Sequence, residues 1–525
     1  MQGAIARAAL CPKARRATPT LGCRQARVRH LVPRSLSSGG GGGKRRVAAA
    51  AGERARDVVS GPRPRGVEDA RSVTEEGRHA ARRGSVAGAV ALIVGTSIGS
   101  GILAVPQRTA PAGFIPSAAC MVTCWAFLVA EALLIAEINV HLRRRRSKDV
   151  GYGRGGDQDD LEVISVKSMA QDTLGAWGGH VATVAYLFLS YTSMVAYASK
   201  SGEVLSRLVP AGVPEPVSGG IFTATLALLV AGGGTGVTDR VNQLLTFVMI
   251  GLLLMIEVSA VALGGGLSLP ANANWEQVPS ALPVIIFTLV FHDIAPVICA
   301  YLEGDLARIR LSILVGSLVP LVCLLVWDDI ALGLATDLAA GFDVLDMLKT
   351  DWSYTVVETF SLLAVGTSLI GTLLGASQFF IEQMTNLASS SAQEHVKSKV
   401  TKRVAILEKN RLSYIATGIV VVPTMIIAST VPDSFSIATD IAGGYCMTIL
   451  YGVLPPLMAW AIGSKLSGRS AGLADEEQSK DSWGKWDMTS ASAKPVLFGM
   501  GVFSALMVLE QMLQDFLSFN AALVS

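Results

Sequence analysis

The sequence predicts an all-α polytopic membrane protein with about eleven transmembrane helices, and two observations carry this prediction. Hydrophobic residues make up 51% of the 525 residues and charged residues 16%, whereas a soluble domain carries about 25% charged residues. The apolar residues are also clustered in blocks of about 20, the length with which a helix crosses the hydrocarbon core of a bilayer. Eleven such blocks occur, at residues 86–105, 114–138, 178–204, 217–233, 241–263, 281–301, 311–333, 354–380, 412–430, 435–461 and 496–516.

The distribution of basic residues predicts the orientation of these spans. If the N-terminal side is inside, the predicted inner loops hold 21 Lys and Arg residues, among them the run 143–146. The predicted outer loops then hold three, Arg108, Arg207 and Lys349. Inner loops normally carry such an excess of Lys and Arg, and the bias would disappear if a span were missed or invented. We therefore expect the N-terminus inside and the C-terminus outside.

The N-terminal region predicts a protein of an organelle membrane. Residues 1–52 contain no Asp or Glu but eleven Arg and Lys residues, together with many Ala, and they lack an apolar h-region. This composition is typical of an organelle transit peptide. We expect residues 1–52 to be a transit peptide, 53–83 a disordered linker and 84–525 the membrane domain. The expected location is the inner envelope membrane of a plastid (chloroplast), and the mitochondrial inner membrane is the alternative because serine is sparse.

The first predicted span, residues 86–106, reads VAGAVALIVGTSIGSGILAVP and is expected to be a broken helix. Its middle, residues 95–101, holds three glycines and three hydroxyl residues, which are poor helix formers. Unpaired backbone groups are costly in lipid, so a broken helix persists there only where it lines a polar cavity. The pattern indicates the wall of a substrate site. Close packing of a neighbouring helix against the glycines is the alternative.

The sixth predicted span is the second interrupted helix. Residues 282–301 carry His292, Asp293 and Pro296 near their centre. Proline removes a backbone donor and clashes with the preceding turn, and an ionisable residue at mid-membrane depth indicates function. The two interrupted spans lie five spans apart, an odd offset, so the second set of five enters the bilayer from the opposite side. This arrangement predicts an inverted five-plus-five repeat with the substrate site where the broken helices cross.

Six segments in order along the chain carry a family resemblance: GTSIGSGILAVP (95–106), TAPAGFIPS (109–117), LLIAEINV (133–140), YLFLSYTSMVAYASKSGEVL (186–205), LEGDLARIRLSILVGSLVPL (302–321) and DIAGGYCMTILYGVLPPLMAW (440–460). Together they resemble the tryptophan/tyrosine permeases, hydroxy- and aromatic-amino-acid permeases of the amino acid–polyamine–cation superfamily. The resemblance runs from about residue 84 to 516. It implies a five-plus-five inverted-repeat transporter fold with broken first and sixth helices.

The same resemblance implies a function, and the chain departs from the family pattern at a position that bears on this function. It implies a secondary active transporter of an aromatic amino acid, tyrosine or tryptophan, usually driven by protons. Transport of another neutral amino acid such as serine or threonine, driven by sodium, is the alternative. The family often has His-Asn in the sixth span, where this chain has His292 and Asp293. The departure bears on substrate and on proton coupling more than on fold.

The break in the first span supplies candidates for substrate and ion binding. Where the second half-helix begins, free N–H groups and the positive end of the helix dipole attract a carboxylate. The carbonyls that end the first half-helix face any coupling cation, and Gly95 and Ile98 are the candidates for this role. The candidate substrate residues of the break are Ser97, Gly99, Ser100 and Gly101.

The sixth and third spans supply the candidates for side-chain recognition. Phe287, Val290 and Phe291 precede the break and are candidate walls for an aromatic substrate, and Tyr191 and Tyr197 of the third span are further candidates. Aromatic residues in a span more often serve packing, which is the alternative. His292 is the candidate proton carrier or substrate ligand, because its charge changes near physiological pH. Asp293 is the candidate partner of the substrate amine or of His292.

Polar residues in other spans supply the remaining candidates. Sodium-coupled relatives in the superfamily carry a pair of hydroxyls opposite the first break, so the resemblance implies this role for Thr367 and Ser368. Hydroxyls bonded back to their own helix are the alternative. Glu131 and Glu257 lie deep in predicted spans and are candidate proton relays, with pairing to a neighbouring helix as the alternative.

Other functional classes fit the sequence less well. It contains no HExxH motif, and its six histidines lie mostly in predicted loops, which argues against a metal-dependent enzyme embedded in the membrane. A channel would need a ring-forming selectivity filter. We expect no cofactor, no bound metal and no nucleic acid. The expected partners are an aromatic amino acid, H⁺ or Na⁺ as coupling ion, and the lipid bilayer.

Overall fold

A computed structural model describes residues 84–149, 163–209, 212–263, 273–335, 354–391, 402–470 and 494–524, and the regular structure in these residues is entirely helical. The predicted transit peptide (1–52) and linker (53–83) lie outside them. The membrane-spanning helices, numbered in chain order, are span 1 (Val86–Ser97 with Gly101–Thr109), span 2 (Phe114–Asp149), span 3 (Ala176–Leu208), spans 4 and 5 (Glu215–Leu263), span 6 (Trp275–Tyr301), span 7 (Leu306–Ala335), span 8 (Tyr354–Ser391), span 9 (Lys402–Thr430), span 10 (Ser434–Ile441, Ala442–Val453 and Leu454–Ser470) and span 11 (Lys494–Val524).

Spans 4 and 5 form one helical segment of 49 residues that is interrupted inside. A continuous helix of that length would be about 73 Å long, more than twice the roughly 30 Å hydrocarbon core. Gly234 divides it with φ 63° and ψ 178°, a conformation that favours glycine. Among the described residues nine helices are long and apolar enough to cross a membrane, and the bent pair of span 1 makes ten. Because Glu215–Leu263 provides two crossings, the described helices account for the eleven predicted spans.

Span 1 is broken where the sequence predicts, although over a shorter stretch. The first half-helix continues through Gly95 to Ser97, and the hydroxyls of Thr96 and Ser97 donate to carbonyls one turn earlier in the same helix. Ile98 has extended backbone, with φ −85° and ψ 113°. The second half-helix begins at Gly101 and runs at 58° to the first. The break therefore comprises residues 98–100.

Span 6 consists of three short helical pieces. Val278–Thr288 is α-helical, Leu289 leaves helical geometry, Val290–Ile294 is a 3₁₀ turn, and Ala295–Tyr301 is α-helical again. His292 and Asp293 thus lie within the break, as predicted. Pro296 lies in the first turn of the last piece, where its missing N–H costs no helical hydrogen bond. It begins a helix rather than interrupting one.

Spans 6, 8 and 10 form the centre of the bundle. In the most apolar 18 residues of each, 83%, 72% and 67% of residues are buried, against 22% in spans 9 and 11. The outward faces of spans 9 and 11 carry exposed large apolar side chains suited to lipid. Span 10 approaches span 6 closely at Gly443, where a Cβ would overlap the Pro283 carbonyl oxygen. The middle of span 10, Ala442–Val453, is a π-helical segment, a rare form that often occurs at functional sites.

Candidate functional site

The breaks of spans 1 and 6 meet at a cavity of about 80 Å³, the central cavity. The two backbones are close, since a Cβ on Gly101 would lie 2.8 Å from Thr288 Oγ1 and 3.0 Å from Thr288 Cα. Spans 3, 8 and 10 complete the walls. The lining residues are Thr96, Ser97, Gly99, Ser100, Gly101, Tyr186, Leu189, Ser190, Ser193, Tyr197, Phe287, Thr288, Val290, Asp293, Ser368, Thr372, Met447 and Tyr451.

The four substrate residues predicted in span 1 all line the central cavity. The hydroxyl of Ser97 bonds to the Ile93 carbonyl of its own helix at 2.7 Å. Ser100 is 1% exposed, and its Oγ makes no hydrogen bond of ordinary geometry. Its N–H donates to Ser368 Oγ at 3.1 Å. The break therefore presents to the cavity its backbone, the hydrogen-bonded N–H of Ser100 and the buried Ser100 hydroxyl.

The aromatic wall comes from residues other than Tyr191. Tyr186 and Tyr197 line the central cavity, and the rings of Tyr197 and Phe287 lie 6.1 Å apart. Tyr191 lies outside this cavity because its hydroxyl donates to the Ile419 carbonyl of span 9 at 3.1 Å. The helical period explains the difference: the lining residues of span 3 recur at intervals of three or four, and position 191 falls on another face. Tyr191 is therefore not among the predicted residues that the structure brings to the central cavity.

The two ionisable residues of span 6 face different cavities. Asp293 lines the central cavity and accepts a hydrogen bond from the hydroxyl of Tyr451 in span 10. His292 lines a separate cavity and is fully buried, with its ring 4.6 Å from that of Tyr451 in an edge-on contact. Phe291 packs in the apolar core and lines neither cavity. Of the five substrate residues predicted in span 6, Phe287, Val290 and Asp293 thus line the central cavity.

The sequence matches the tryptophan/tyrosine permease family over residues 82–469. The chain belongs to this family. It is a transporter and not an enzyme. It is 27% identical to tyrosine-specific transport system 1 of Haemophilus influenzae, over 71% of this chain and 87% of that protein. It is 25% identical to the tryptophan-specific transport protein of Pseudomonas aeruginosa, over 57% and 73%, and 21% identical to the serine transporter SdaC of Escherichia coli, over 70% and 85%.

A solved structure confirms the predicted fold class of this permease. The crystal structure of MhsT in complex with L-phenylalanine matches it with a TM-score of 0.53, over 82% of this chain and 99% of that one. The sequence identity of the pair is 14%, so the likeness concerns the fold. The permease is therefore a multi-pass membrane transporter with broken first and sixth helices.

The residues predicted for ion coupling are only partly brought together in the permease. Ser368 reaches the first break through its bond with the Ser100 N–H. The Thr367 hydroxyl donates to the Leu363 and Ala364 carbonyls of its own helix, at 2.9 and 3.1 Å, and lies 3.6 Å from Met249 Sδ. Gly95 and Ile98 line neither of the two cavities. Ile98 ends the first half-helix, and its N–H bonds to the Val94 carbonyl.

Both ends of span 1 are tied to other parts of the permease. At the predicted outer end, Arg108 forms an ion pair with Asp440 of span 10. At the predicted inner end, Arg308 of span 7 donates to the Gly84 carbonyl, and a Cβ on Gly84 would overlap Tyr301 of span 6. The central cavity lies between these contacts. These contacts join span 1 to span 10 at one end and to spans 6 and 7 at the other.

Several site residues were missed by sequence reasoning. Tyr186 and Tyr451 line the central cavity, and the Arg108–Asp440 pair connects spans distant in sequence. Tyr186 had a signal, since it lies about three turns before Tyr197 on the same helical face. No sequence pattern identifies Tyr451 or the ion pair, because their partners are set only by the packing of spans 1, 6 and 10.

Proposed function

We propose that this permease is a secondary active transporter that carries tyrosine or tryptophan across an organelle membrane, with protons as the coupling ion. The observation that carries the proposal is the central cavity, where the broken backbone of span 1, one carboxylate and three tyrosine side chains converge. The tyrosine and tryptophan named for two of the bacterial relatives support the same substrate class.

Each part of a zwitterionic aromatic amino acid has a matching group in this cavity. The second half-helix begins at Gly101 beside the cavity, so the positive end of its dipole faces the place of the substrate carboxylate. Asp293 offers a carboxylate to the substrate amine, and its hydrogen bond from Tyr451 fixes its position. The rings of Tyr197 and Phe287 offer an aromatic wall, against which ring pairs gain about 0.5–1.5 kcal/mol beyond their buried area.

Transport follows from alternate opening of the two ends of span 1. Separation of Arg108 from Asp440 opens the outer side, and separation of Gly84 from Arg308 opens the inner side. His292 is the proton carrier in this proposal. It lies within the break of span 6, so a movement of that break changes its solvation and lets it load or release a proton.

The organelle part of the proposal rests on residues 1–52 alone. Their acid-free, Arg- and Ala-rich composition supports a plastid inner envelope location. Fused to a fluorescent passenger, residues 1–52 are expected to direct it into plastids and to be removed there. A passenger that stays in the cytosol, or that enters mitochondria only, would contradict the plastid location.

Transport by purified protein in proteoliposomes tests substrate and coupling together. Labelled tyrosine and tryptophan should exchange saturably and accumulate under an inward proton gradient without sodium. A second candidate, sodium-coupled transport of serine or threonine, is favoured by the hydroxyls of Ser190, Ser193 and Thr372 in the cavity wall and by the serine transporter among the relatives. Preferential uptake of serine or threonine that requires sodium would favour this second candidate and overturn the first.

A further inference from the structure

A second cavity, of about 260 Å³, lies across span 6 from the central cavity, and we call it the lateral cavity. Residues of spans 2, 6, 10 and 11 line it. Its lining extends from Pro116 to Glu131 along span 2, about 22 Å at the helical rise. His292 belongs to its wall, whereas the neighbouring Asp293 belongs to the central cavity. Met447 of span 10 lines both cavities, so a single layer of side chains separates them.

Two buried titratable side chains, Glu131 and His292, line the lateral cavity. Glu131 is 2% exposed and His292 is fully buried. Neither Glu131 Oε1 nor either ring nitrogen of His292 makes a hydrogen bond of ordinary geometry. The rest of the lining is mostly apolar, and the other titratable side chains among the described residues that line it are Cys120 and Cys124. An isolated charge is very unfavourable in such surroundings. The Glu131 carboxyl and the His292 imidazole therefore need a partner that can both donate and accept hydrogen bonds.

We propose that the lateral cavity is the proton site of the permease, in which Glu131 and His292 hold one transported proton through bridging water. Substrate and proton would then occupy separate cavities on the two sides of span 6. The proposal rests on the proposed function and deepens it, because it adds Glu131 to His292 and separates the coupling ion from the substrate. A carboxyl and an imidazole supply the donor and acceptor sites that a shared proton requires.

Span 10 provides the physical link between the two cavities. A Cβ on Gly452 would lie 2.9 Å from Glu131 Oε1, so the carboxyl of Glu131 lies directly against the π-helical segment. The preceding residue, Tyr451, donates to Asp293 and contacts the ring of His292. A change in protonation beside Gly452 and Tyr451 therefore acts on the group that holds Asp293 in place.

The groups facing the pair come from four spans. Span 2 contributes Cys120 and Cys124 in addition to Glu131 itself. Span 10 contributes the Tyr451 ring, and span 6 contributes Asp293 on its opposite face. The side chains that span 11 adds to the lining are apolar, Phe503 and Met507. No Lys or Arg is among the described residues that line this cavity.

The test compares Glu131→Gln with the matched variant Glu257→Gln in proteoliposomes loaded with tyrosine. Glu257 of span 5, the other candidate relay named from the sequence, is also a buried acid, 6% exposed and with Oε1 lacking a hydrogen-bond partner. It lines neither cavity, so the proposal gives it no role in coupling. For Glu131→Gln we expect exchange of labelled for unlabelled tyrosine to stay within about twofold of the wild type. Accumulation under a proton gradient should fall at least tenfold, and the pH dependence of exchange between pH 5.5 and 8 should flatten. Glu257→Gln should keep the accumulation and the pH profile of the wild type.

The outcomes separate this proposal from the proposed function. Wild-type accumulation by Glu131→Gln would overturn the proton site, and an equal loss of exchange and accumulation would overturn the separation of the two cavities. Accumulation by the wild type under a sodium gradient alone would overturn the proton site and proton coupling while leaving transport intact. A wild type that exchanges neither tyrosine nor tryptophan would overturn the proposed function itself.

Discussion

The two broken helices meet at one cavity but bring different chemistry to it. The break of span 1 consists of residues 98–100, and what it presents is backbone, with Gly99 and Gly101 on either side of Ser100. The break of span 6 presents the ionisable side chains of His292 and Asp293, one toward each cavity. Backbone groups carry no net charge, whereas a carboxyl or an imidazole can carry one. Span 1 is therefore suited to binding the substrate in a fixed position. Span 6 is suited to coupling substrate binding to ion binding.

The largest effect is expected where the two breaks touch. In Gly101→Val, the new side chain would enter space held by Thr288, where a Cβ alone would lie 3.0 Å from Thr288 Cα. Overpacking of this kind costs up to about 3 kcal/mol, roughly 100-fold in an equilibrium constant. Uptake of labelled tyrosine is expected to fall to background while the amount of protein in the membrane stays unchanged.

The matched control for that variant is Gly251→Val. Gly251 lies in the segment of spans 4 and 5, and a Cβ there would meet no atom within 4 Å. The control should transport at the wild-type rate. Normal uptake by Gly101→Val would show that the breaks of spans 1 and 6 tolerate separation, and it would remove the structural basis for a fixed carboxylate site.

Replacement of His292 is expected to separate exchange from accumulation. His292→Gln keeps a hydrogen-bonding side chain of similar reach but cannot titrate near neutral pH. Active accumulation under a proton gradient should disappear, while exchange of labelled for unlabelled substrate should stay within about twofold. His180→Gln, on an exposed position of span 3, is the control and should retain both activities. Survival of accumulation in His292→Gln would exclude this residue as the carrier.

Loss of one hydrogen bond to Asp293 is expected to weaken substrate binding by roughly 10- to 100-fold. Tyr451→Phe removes the hydroxyl that donates to Asp293, and a hydrogen bond to a carboxylate contributes roughly 1.5–3 kcal/mol. KM for tyrosine should rise with little change in kcat. The control is Tyr445→Phe, which removes a bond of the same kind in span 10, from Tyr445 to Asp515 at 2.5 Å. Equal effects of the two variants would mean that Tyr451 acts through the stability of span 10 and not through the cavity.

The fold could be predicted because its signals are local. Blocks of about 20 apolar residues, a run of Gly, Ser and Thr in span 1, and His292 and Asp293 beside Pro296 in span 6 are each read from neighbouring residues. The boundary between spans 4 and 5 falls at Gly234 for the same reason, since only glycine adopts that backbone readily.

The orientation of side chains around the site could not be predicted in the same way. The hydroxyl and aromatic residues of span 3 are not confined to one face, so its sequence does not show which face lines the cavity. Tyr191 lies beside span 9 instead of the central cavity. Two neighbours in a 3₁₀ turn point in different directions, which separates His292 from Asp293. The contact of Glu131 with Gly452 joins residues more than 300 positions apart and depends on the packing of span 2 against span 10.

The smallest effect is expected at the adjacent hydroxyls of span 8, Thr367 and Ser368. The sodium dependence of these variants decides whether the coupling ion is the proton or sodium. Thr367→Ala removes a hydroxyl that bonds to its own helix, so uptake should stay within about twofold of the wild type. Ser368→Ala removes the acceptor of the Ser100 N–H, a bond of about 1 kcal/mol, so the apparent affinity for substrate should fall about fivefold. Both variants should transport equally well with and without sodium, because the Thr367 hydroxyl is not directed to the break of span 1. If sodium stimulates the wild type and Thr367→Ala abolishes that stimulation, the side chain must leave its own helix to bind the ion, and sodium replaces the proton as the coupling ion.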